Sequence, residues 1–503
     1  DPNNPRFLAL AIESLLSSGQ VSKAIPLSIK LLDLAPNSNI ASSVYVIEMV
    51  NQGKYSDAIT ELQKKPSSGI KSAILPILTT WLYVAQGITE EPLKIISSLA
   101  ENGNMVPMYN YHLALMNDWL GNKDEARKRY INAAMNDTRI VPRVIVAAGS
   151  FFERIKEEAF AKKFYTKLKE NRPNSSYLLT LQKRIERKEI PPPVVTNPKE
   201  GFAEALYNAA SALRSEGLLE SSLSYVQMTL YLHPNMFEAR LLLADLMRSI
   251  GLKEKAINYY RMIPKTSNIG WNASLKLAEV LSETKQNDEA ENILRILAQQ
   301  EKSRIDALTT LGDIMHRQKK YEEAIKIYDE VLNRIKTPEP NHWSLYYARG
   351  MAHERIGSWD KAEKDFKFSL DLSPDQPLVL NYLGYSWIEK GIHLDEAKEM
   401  IENAVMQRPN DGYIIDSLGW ALYQLGDYEE AVKQLENAAQ IIANDAIIID
   451  HLGDALWKAK HKIEARFQWK RALLFVEDVE LEKKLKNKIK YGLENTTSSE
   501  KDI

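Results

Sequence analysis

The chain has 503 residues, 44% hydrophobic and 26% charged, a balance that suits a protein burying a core and not a disordered one. Its 65 Lys plus Arg against 67 Asp plus Glu leave a formal net charge of −2, which provides no basic field for a phosphate backbone and excludes nucleic acid as the expected partner. The absence of cysteine removes disulfides, thiolate metal sites and cysteine nucleophiles, and no apolar run approaches the ~18 to 20 residues of a membrane span.

At the start, Pro2 stands 34 residues before Pro36, so residues 1–4 are read as the tail of a preceding repeat, with a further unit and a leader expected upstream. A period of 34 then runs through Gly19, Gly53, Gly87 and Gly121 and through Ala24 and Ala58. It predicts five helix-turn-helix units over 5–174. Their first helices carry a small-site position at Ile12, Val46, Thr80, Ala114 and Gly149, and their second helices a slot at Ala24, Ala58, Pro92, Ala126 and Ala161. The third unit is the weakest, because Pro92 fills its slot. Residues 175–189 are predicted as a solitary amphipathic helix on Leu178, Leu181 and Ile185. Residues 190–202 hold Pro191, Pro192, Pro193 and Pro198 and are predicted as a stiff spacer, with flexing over 190–200 adjusting two arrays to each other.

The phase restarts at Ser222, 61 residues after Ala161, and eight more units are predicted over 203–475. Their slots are Ser222, Ala256, Ala290, Ala324, Ala362, Ala397, Ala431 and Ala465. Four residues after each slot stands an apolar residue: Val226, Tyr260, Leu294, Tyr328, Phe366, Ile401, Leu435 and Trp469. Twelve or thirteen residues before it stands the small site: Ala210, Ala244, Ala278, Gly312, Gly350, Gly384, Gly419 and Gly453. Small residues let the two helices of a unit approach, and the large residue one turn on fills the adjoining gap. Gly217, Gly251, Gly357, Gly391 and Gly426 fall where the first helix must turn, and Pro36, Pro173, Pro234, Pro374 and Pro409 where the second must stop. Residues 476–493, with Leu481, Leu485 and Ile489 among lysines, are predicted as a solvated capping helix, and 494–503 as a disordered tail.

This pattern resembles the tetratricopeptide repeat (TPR) over nearly the whole chain, most strongly in Leu418-Gly419-Trp420 with Tyr423, Ala431 and Leu435, and in Leu452-Gly453-Asp454 with Ala465, Trp469 and Ala472. The resemblance implies an all-α solenoid, a right-handed superhelix of helix-turn-helix repeats in two arrays. It also implies an inner face lined by the second, fifth, ninth and twelfth positions of each unit. In the C-terminal array these are Glu204, Tyr207, Glu238, Asp245, Glu279, Asp306, Asp313, Tyr347, Tyr385, Asp416, Trp420, Tyr423, Asp450, Asp454 and Trp457, an acidic lining with aromatic steps. Asp245 with Arg248, and Asp313 with His316, are alternatively spaced as i, i+3 pairs on one solvated helix face.

No catalytic, metal or cofactor motif accompanies the repeats: the eight histidines form no H-E-x-x-H, and no phosphate-binding glycine loop or G-x-S-x-G is present. The chain is therefore expected to be a non-enzymatic scaffold binding other proteins, by extended or helical segments with Lys or Arg and apolar anchors. The closing units, from Leu380-Asn381-Tyr382-Leu383-Gly384 to Ala465-Arg466-Phe467-Gln468-Trp469, resemble long bacterial cell-envelope TPR proteins. Some of these are lipoprotein adaptors of periplasmic C-terminal-processing proteases, which implies presentation of substrates to such a protease. The other reading is a structural spacer in an envelope export or polysaccharide-assembly complex.

Overall fold

The computed structural model describes residues 3–64, 69–101, 105–135 and 141–493. Among the described residues are 28 α-helices, one short 3-10 turn and no strand, an all-α TPR solenoid. The expected disordered tail at 494–503 and the Pro2 slot lie outside the described residues. The helices fall into two compact units, Asp1–Thr310 and Leu311–Ile503.

Unit 1 begins with five helix-turn-helix pairs: α1 (Pro5–Ser17) and α2 (Val21–Leu34), α3 (Asn39–Asn51) and α4 (Tyr55–Gln63), α5 (Gly69–Ala85) and α6 (Glu90–Leu99), α7 (Val106–Leu120) and α8 (Lys123–Met135), α9 (Pro142–Arg154) and α10 (Glu158–Asn171). Then come α11 (Ser176–Arg187), α12 (Pro198–Ser215) and α13 (Leu219–Leu232), α14 (Phe237–Ser249) and α15 (Lys253–Arg261), and α16 (Gly270–Glu283) and α17 (Asn287–Gln300), with unit 1 ending inside α18 (Asp306–Arg317). Pro92 is tolerated because it sits in the first turn of α6, where a backbone donor has no intrahelical acceptor to lose.

The first helices of the N-terminal pairs do not leave an open groove. Helix α12 packs against α5 and α7, and α13 against α1, α2 and α3. Phe202, Leu206, Met228 and Leu232 join one continuous core with Ile12, Ile77, Trp81 and Leu113. Gly201 permits the closest approach, since a Cβ there would stand 2.4 Å from Trp81 Cε2. The segment expected to flex is fixed across this face. Val195 is buried, Trp119 Nε1 donates to the Thr196 carbonyl at 3.2 Å, and Arg154 Nη1 to that of Pro192 at 3.3 Å. Helix α12 also starts at Pro198, earlier than the predicted linker end at 202, because Asn197 Oδ1 accepts from the Glu200 amide at 3.0 Å and Pro198 suits the first helical position. The division between the compact units falls at residue 310 and not in the proline run.

Unit 2 contains α19 (Tyr321–Arg334), α20 (Trp343–Arg355) and α21 (Trp359–Leu372), α22 (Pro377–Lys390) and α23 (Leu394–Gln407), α24 (Gly412–Gln424) and α25 (Tyr428–Ile441), α26 (Ala446–Lys458) and α27 (Lys462–Ala472), and α28 (Val479–Tyr491). The first helices α22, α24 and α26 lie side by side. Side-chain oxygens of Asp411, Asp445 and Asp478 accept from the first-turn amides of α24, α26 and α28, fixing where these helices start. Glycine is not obligatory at the turn: Lys285 (φ 63°), Lys319 (φ 61°) and Lys460 (φ 71°) take the same left-handed conformation as Gly251 (φ 82°).

The small sites face the large residues expected to fill them. A Cβ on Gly419 would lie 2.5 Å from Leu435 Cγ, and one on Gly453 2.4 Å from Trp469 Nε1. Gly453→Ala is therefore expected to destabilise unit 2 by about 1–3 kcal/mol, although alanine favours an isolated helix by up to ~1 kcal/mol. Urea denaturation measures the sign, and a more stable variant contradicts the tight approach of α26 to α27.

Candidate partner-binding face

Each of the fifteen residues expected to line an inner face has a definite place. In unit 1 the carboxylates are held by the chain itself. Arg143 at the start of α9 grips Glu204 of α12 by two bonds, Nε to Oε1 at 2.8 Å and Nη2 to Oε2 at 2.7 Å, and reaches Glu238 of α14 with Nη1 at 2.6 Å. Tyr111 donates to Glu204 and Tyr177 to Glu238, each at 3.1 Å. The Arg143 guanidinium also stands 5.8 Å from the Tyr207 ring centre, and burial pushes that phenol up to about 12. Burial alone would raise the Glu204 carboxyl, but the Arg143 charge overrides it and holds the group below its ordinary range. Beside this cluster His112 accepts from Trp81 Nε1 at 3.1 Å through Nδ1 and faces the Asn208 amide at 3.1 Å through Nε2. Burial lowers it to about 4, so the ring is neutral.

Further along unit 1, Asp245 accepts from Tyr260 at 2.6 Å, Arg214 at 2.9 Å and Lys276 at 2.9 Å. Arg248 turns away from Asp245 to Glu279 at 2.7 Å and to Glu283, so the alternative i, i+3 pairing of Asp245 with Arg248 is not what forms. The longer arginine reaches across to α16, where two carboxylates flank it. Asp306 accepts from Trp271 Nε1 at 2.9 Å and from Arg304. A cleft of about 410 Å³ remains between α12 and α14, lined by Tyr207, Ser211, Arg214, Glu238, Leu241 and Asp245 among others.

In unit 2 the aspartates are again occupied, and the aromatics other than Trp457 remain partly exposed. Asp313 accepts from Tyr328 at 2.7 Å, and Asp416 faces His451 Nδ1 at 3.0 Å. Lys488 of α28 bonds Asp450 and Asp454 at 2.8 Å each, and Trp469 Nε1 donates to Asp454 at 3.0 Å. The basic run of the capping helix was expected to be solvated; Lys488 instead lies mostly covered over α26, where two carboxylates offset its desolvation. Trp457 is buried against Trp469, 5.4 Å between ring centres, and so is core and not lining. That leaves Tyr347, Tyr385, Trp420 and Tyr423, all half-buried on α20, α22 and α24. Trp420 stacks on Tyr423 at 4.7 Å and on His451 at 4.2 Å, making a continuous ring surface, while Tyr347 stands 5.8 Å from Tyr382.

A rule within the repeats explains where three of these aspartates stand. Among the eight C-terminal units the ninth position is Asp only at Asp245, Asp313 and Asp454, and fifteen residues later stand Tyr260, Tyr328 and Trp469. Elsewhere the filling residue is Val226, Leu294, Phe366, Ile401 or Leu435, and the ninth position is Ser211, Glu279, Met351, Tyr385 or Trp420. A buried phenol or indole needs an acceptor, and the aspartate one helix away is that acceptor. The i, i+15 pairing was the available signal.

Residues 303–375 and 413–443 match tetratricopeptide-repeat family models. A TPR repeat-containing protein of Pseudomonas aeruginosa is 36% identical over 87 residues, or 17% of this chain, and the match spans only 15% of that relative's length. Among solved structures, the APC/C hetero-tetramer Cut9–Hcn1 aligns over 98% of this chain and 97% of that chain, at 16% identity and a TM-score of 0.43. The C-terminal part of a TPR repeat-containing protein from Cytophaga hutchinsonii aligns over 40% of this chain and 78% of that one, at 14% identity and a TM-score of 0.32. MamA aligns over 34% and 92%, at 21% identity and a TM-score of 0.29. The chain thus carries TPR repeats, which bind other proteins, and no helix among the described residues is long and apolar enough to cross a membrane.

Two predictions arise from these clusters. Arg143→Met strands two carboxylates in unit 1 and is expected to cost about 3–5 kcal/mol in denaturation, with much of the loss recovered by adding Glu204→Gln and Glu238→Gln. In unit 2, the charged groups acting on His451 are Asp416 of α24 and, from its own helix α26, Asp450 and Asp454. Burial opposes the charged imidazole and Asp416 overcomes it, so its pKa is raised; burial and Asp450 raise Asp454 to about 6. Both groups hold a proton more tightly folded than unfolded. Stability from Asp454 is full below ~4 and lost through about 6, and that from His451 is full below ~6.5 and lost as pH rises through its raised value. The urea midpoint of the native chain minus that of His451→Asn should therefore shrink above pH ~6.5; a difference that grows with pH contradicts the Asp416 pairing.

Proposed function

We propose that the first-helix face of unit 2 binds a segment of a partner protein, with Tyr347, Tyr385, Trp420 and Tyr423 as the anchoring surface. The observation that carries this reading is the aromatic row on adjacent helices, partly exposed where the neighbouring aspartates are already engaged. Rings of this kind bury large area at small loss of side-chain freedom. Because the carboxylates face Lys488, His451 and Tyr328, a cationic partner gains less from Coulomb attraction than an acidic lining implies. Apolar side chains, or an arginine laid on a ring face, fit the surface better.

Unit 1 supports the spacer reading instead. Its N-terminal first-helix face is filled by α12 and α13, so it offers bulk and rigidity where a groove was expected. Presentation of substrates to a C-terminal-processing protease is the finer form of the binding proposal.

A photo-crosslinking residue at Tyr385, irradiated in lysate of the native cell, identifies the segment that docks. Its affinity is then measured by fluorescence anisotropy. Trp420→Ala with Tyr385→Ala is expected to weaken it by ~30-fold or more with the fold retained by circular dichroism. An affinity that does not change places binding elsewhere; adducts with protease substrates support the adaptor form, and adducts confined to fixed assembly components support the spacer.

A further inference from the structure

The outward face of α27 breaks a rule that every other repeat keeps. Two residues before the slot, the seven preceding C-terminal units carry Glu220, Glu254, Asp288, Glu322, Asp360, Asp395 and Glu429, and the last carries Ile463. Two residues after the slot they carry Ser224, Asn258, Asn292, Lys326, Lys364, Glu399 and Lys433, and the last carries Phe467. The five N-terminal units likewise place no Val, Ile, Leu, Met or aromatic residue at either position. Ala465, Trp469 and Ala472 form the opposite, fully buried face of α27. Ile463 and Phe467, one turn apart on α27, and Leu474, in the turn that follows the helix, stand 83%, 65% and 77% exposed, with Lys470 exposed one turn after Phe467. Helix α28 packs on α27 without covering them. A solenoid needs polar outward positions for solubility, so an apolar stripe confined to one unit is a surface with an occupant.

We propose that this stripe pairs two copies of the chain, antiparallel about a two-fold axis between Phe467 and Lys470. Charge complementarity selects this occupant. Exposed Lys458, Lys460 and Lys462 lie at one end of the stripe, and exposed Glu477, Asp478 and Glu480 at the other. An anionic bilayer or an acidic helix would meet one of these ends with like charge. A second copy meets each end with its opposite: Ile463 of each copy faces Leu474 of the other, Phe467 faces Lys470, and Lys460 faces Glu477. Such a contact is self-complementary, as a two-fold interface must be. The stripe is small beside a standard interface, so the dimer is weak, with a dissociation constant on the order of micromolar. It involves no residue of the aromatic row, and either proposal can fail alone.

Sedimentation equilibrium of the full chain, over roughly 1 to 200 µM, tests it. A reversible monomer–dimer equilibrium is expected, weakened at least ~30-fold by Phe467→Glu, which replaces an exposed side chain and leaves the circular dichroism spectrum unchanged. Lys460→Glu and Glu477→Lys should each weaken the dimer by ~3-fold or more, and the double variant should restore it. A chain that is monomeric throughout, a dimer indifferent to Phe467→Glu, or a double variant weaker than both singles overturns the proposal. So does a monomer that co-sediments with phosphatidylglycerol vesicles in a Phe467-dependent manner, which would assign the stripe to lipid.

Discussion

Everything in this solenoid follows from how close the first helix of each unit comes to the second. The small sites at Gly312, Gly419 and Gly453 leave no room for a methyl group, because Tyr328, Leu435 and Trp469 already fill it. Close packing therefore selects a large residue on the second helix. Where that residue carries an O–H or N–H, it must also be given an acceptor, which is why Asp313 and Asp454 stand where they do. What looked like a row of recognition charges is partly the cost of putting tyrosine and tryptophan inside.

The period, the small sites and the filling residues were legible in the sequence because each is a local demand repeated in register. The placement of α12 and α13 was not. Ala209, Ala210 and Leu213 satisfy the pattern of an ordinary first helix, and the pattern is the same whichever neighbour the outer side meets. The clue was in Gly201, Ala203 and Ala205: small residues on further faces of α12, which is buried nearly all round and not along one stripe. Of the proposed surface, Tyr347, Tyr385, Trp420 and Tyr423 stand at positions that the repeat pattern alone picks out. Trp457 was not, because α28 folds over its helix and Lys488 reaches back to Asp450 and Asp454, a pairing 38 and 34 residues apart that no local pattern encodes.

The balanced charge of the chain acquires a structural meaning from these pairs. Arg143, Arg248, Lys276 and Lys488 each meet carboxylates on another helix, so part of the balanced charge is spent on neutralisation between neighbouring repeats. Pairs of this kind add little stability where solvent reaches them but are expensive to break once buried, as around Glu204. They fix which repeat neighbours which, in a fold whose repeats are otherwise nearly interchangeable. On the proposed reading, recognition is left to surfaces where no such pairing occurs, which in unit 2 means rings and not carboxylates.

Whether the filled face of unit 1 is a displaceable plug is decided by magnitude. Phe202, Leu206, Met228 and Leu232 are each almost fully buried, and at about 1.5–3 kcal/mol apiece they hold α12 and α13 in place by about 6–12 kcal/mol before any polar contact is counted. A competitor would have to recover that burial and the Arg143 bridges as well. To reverse even a 99:1 population it must prefer the opened face by about 5.5 kcal/mol, and here the starting bias is larger. No short segment with a few anchors supplies that. The inserted helices are accordingly permanent architecture, and unit 1 acts in any assembly through the surfaces it still exposes.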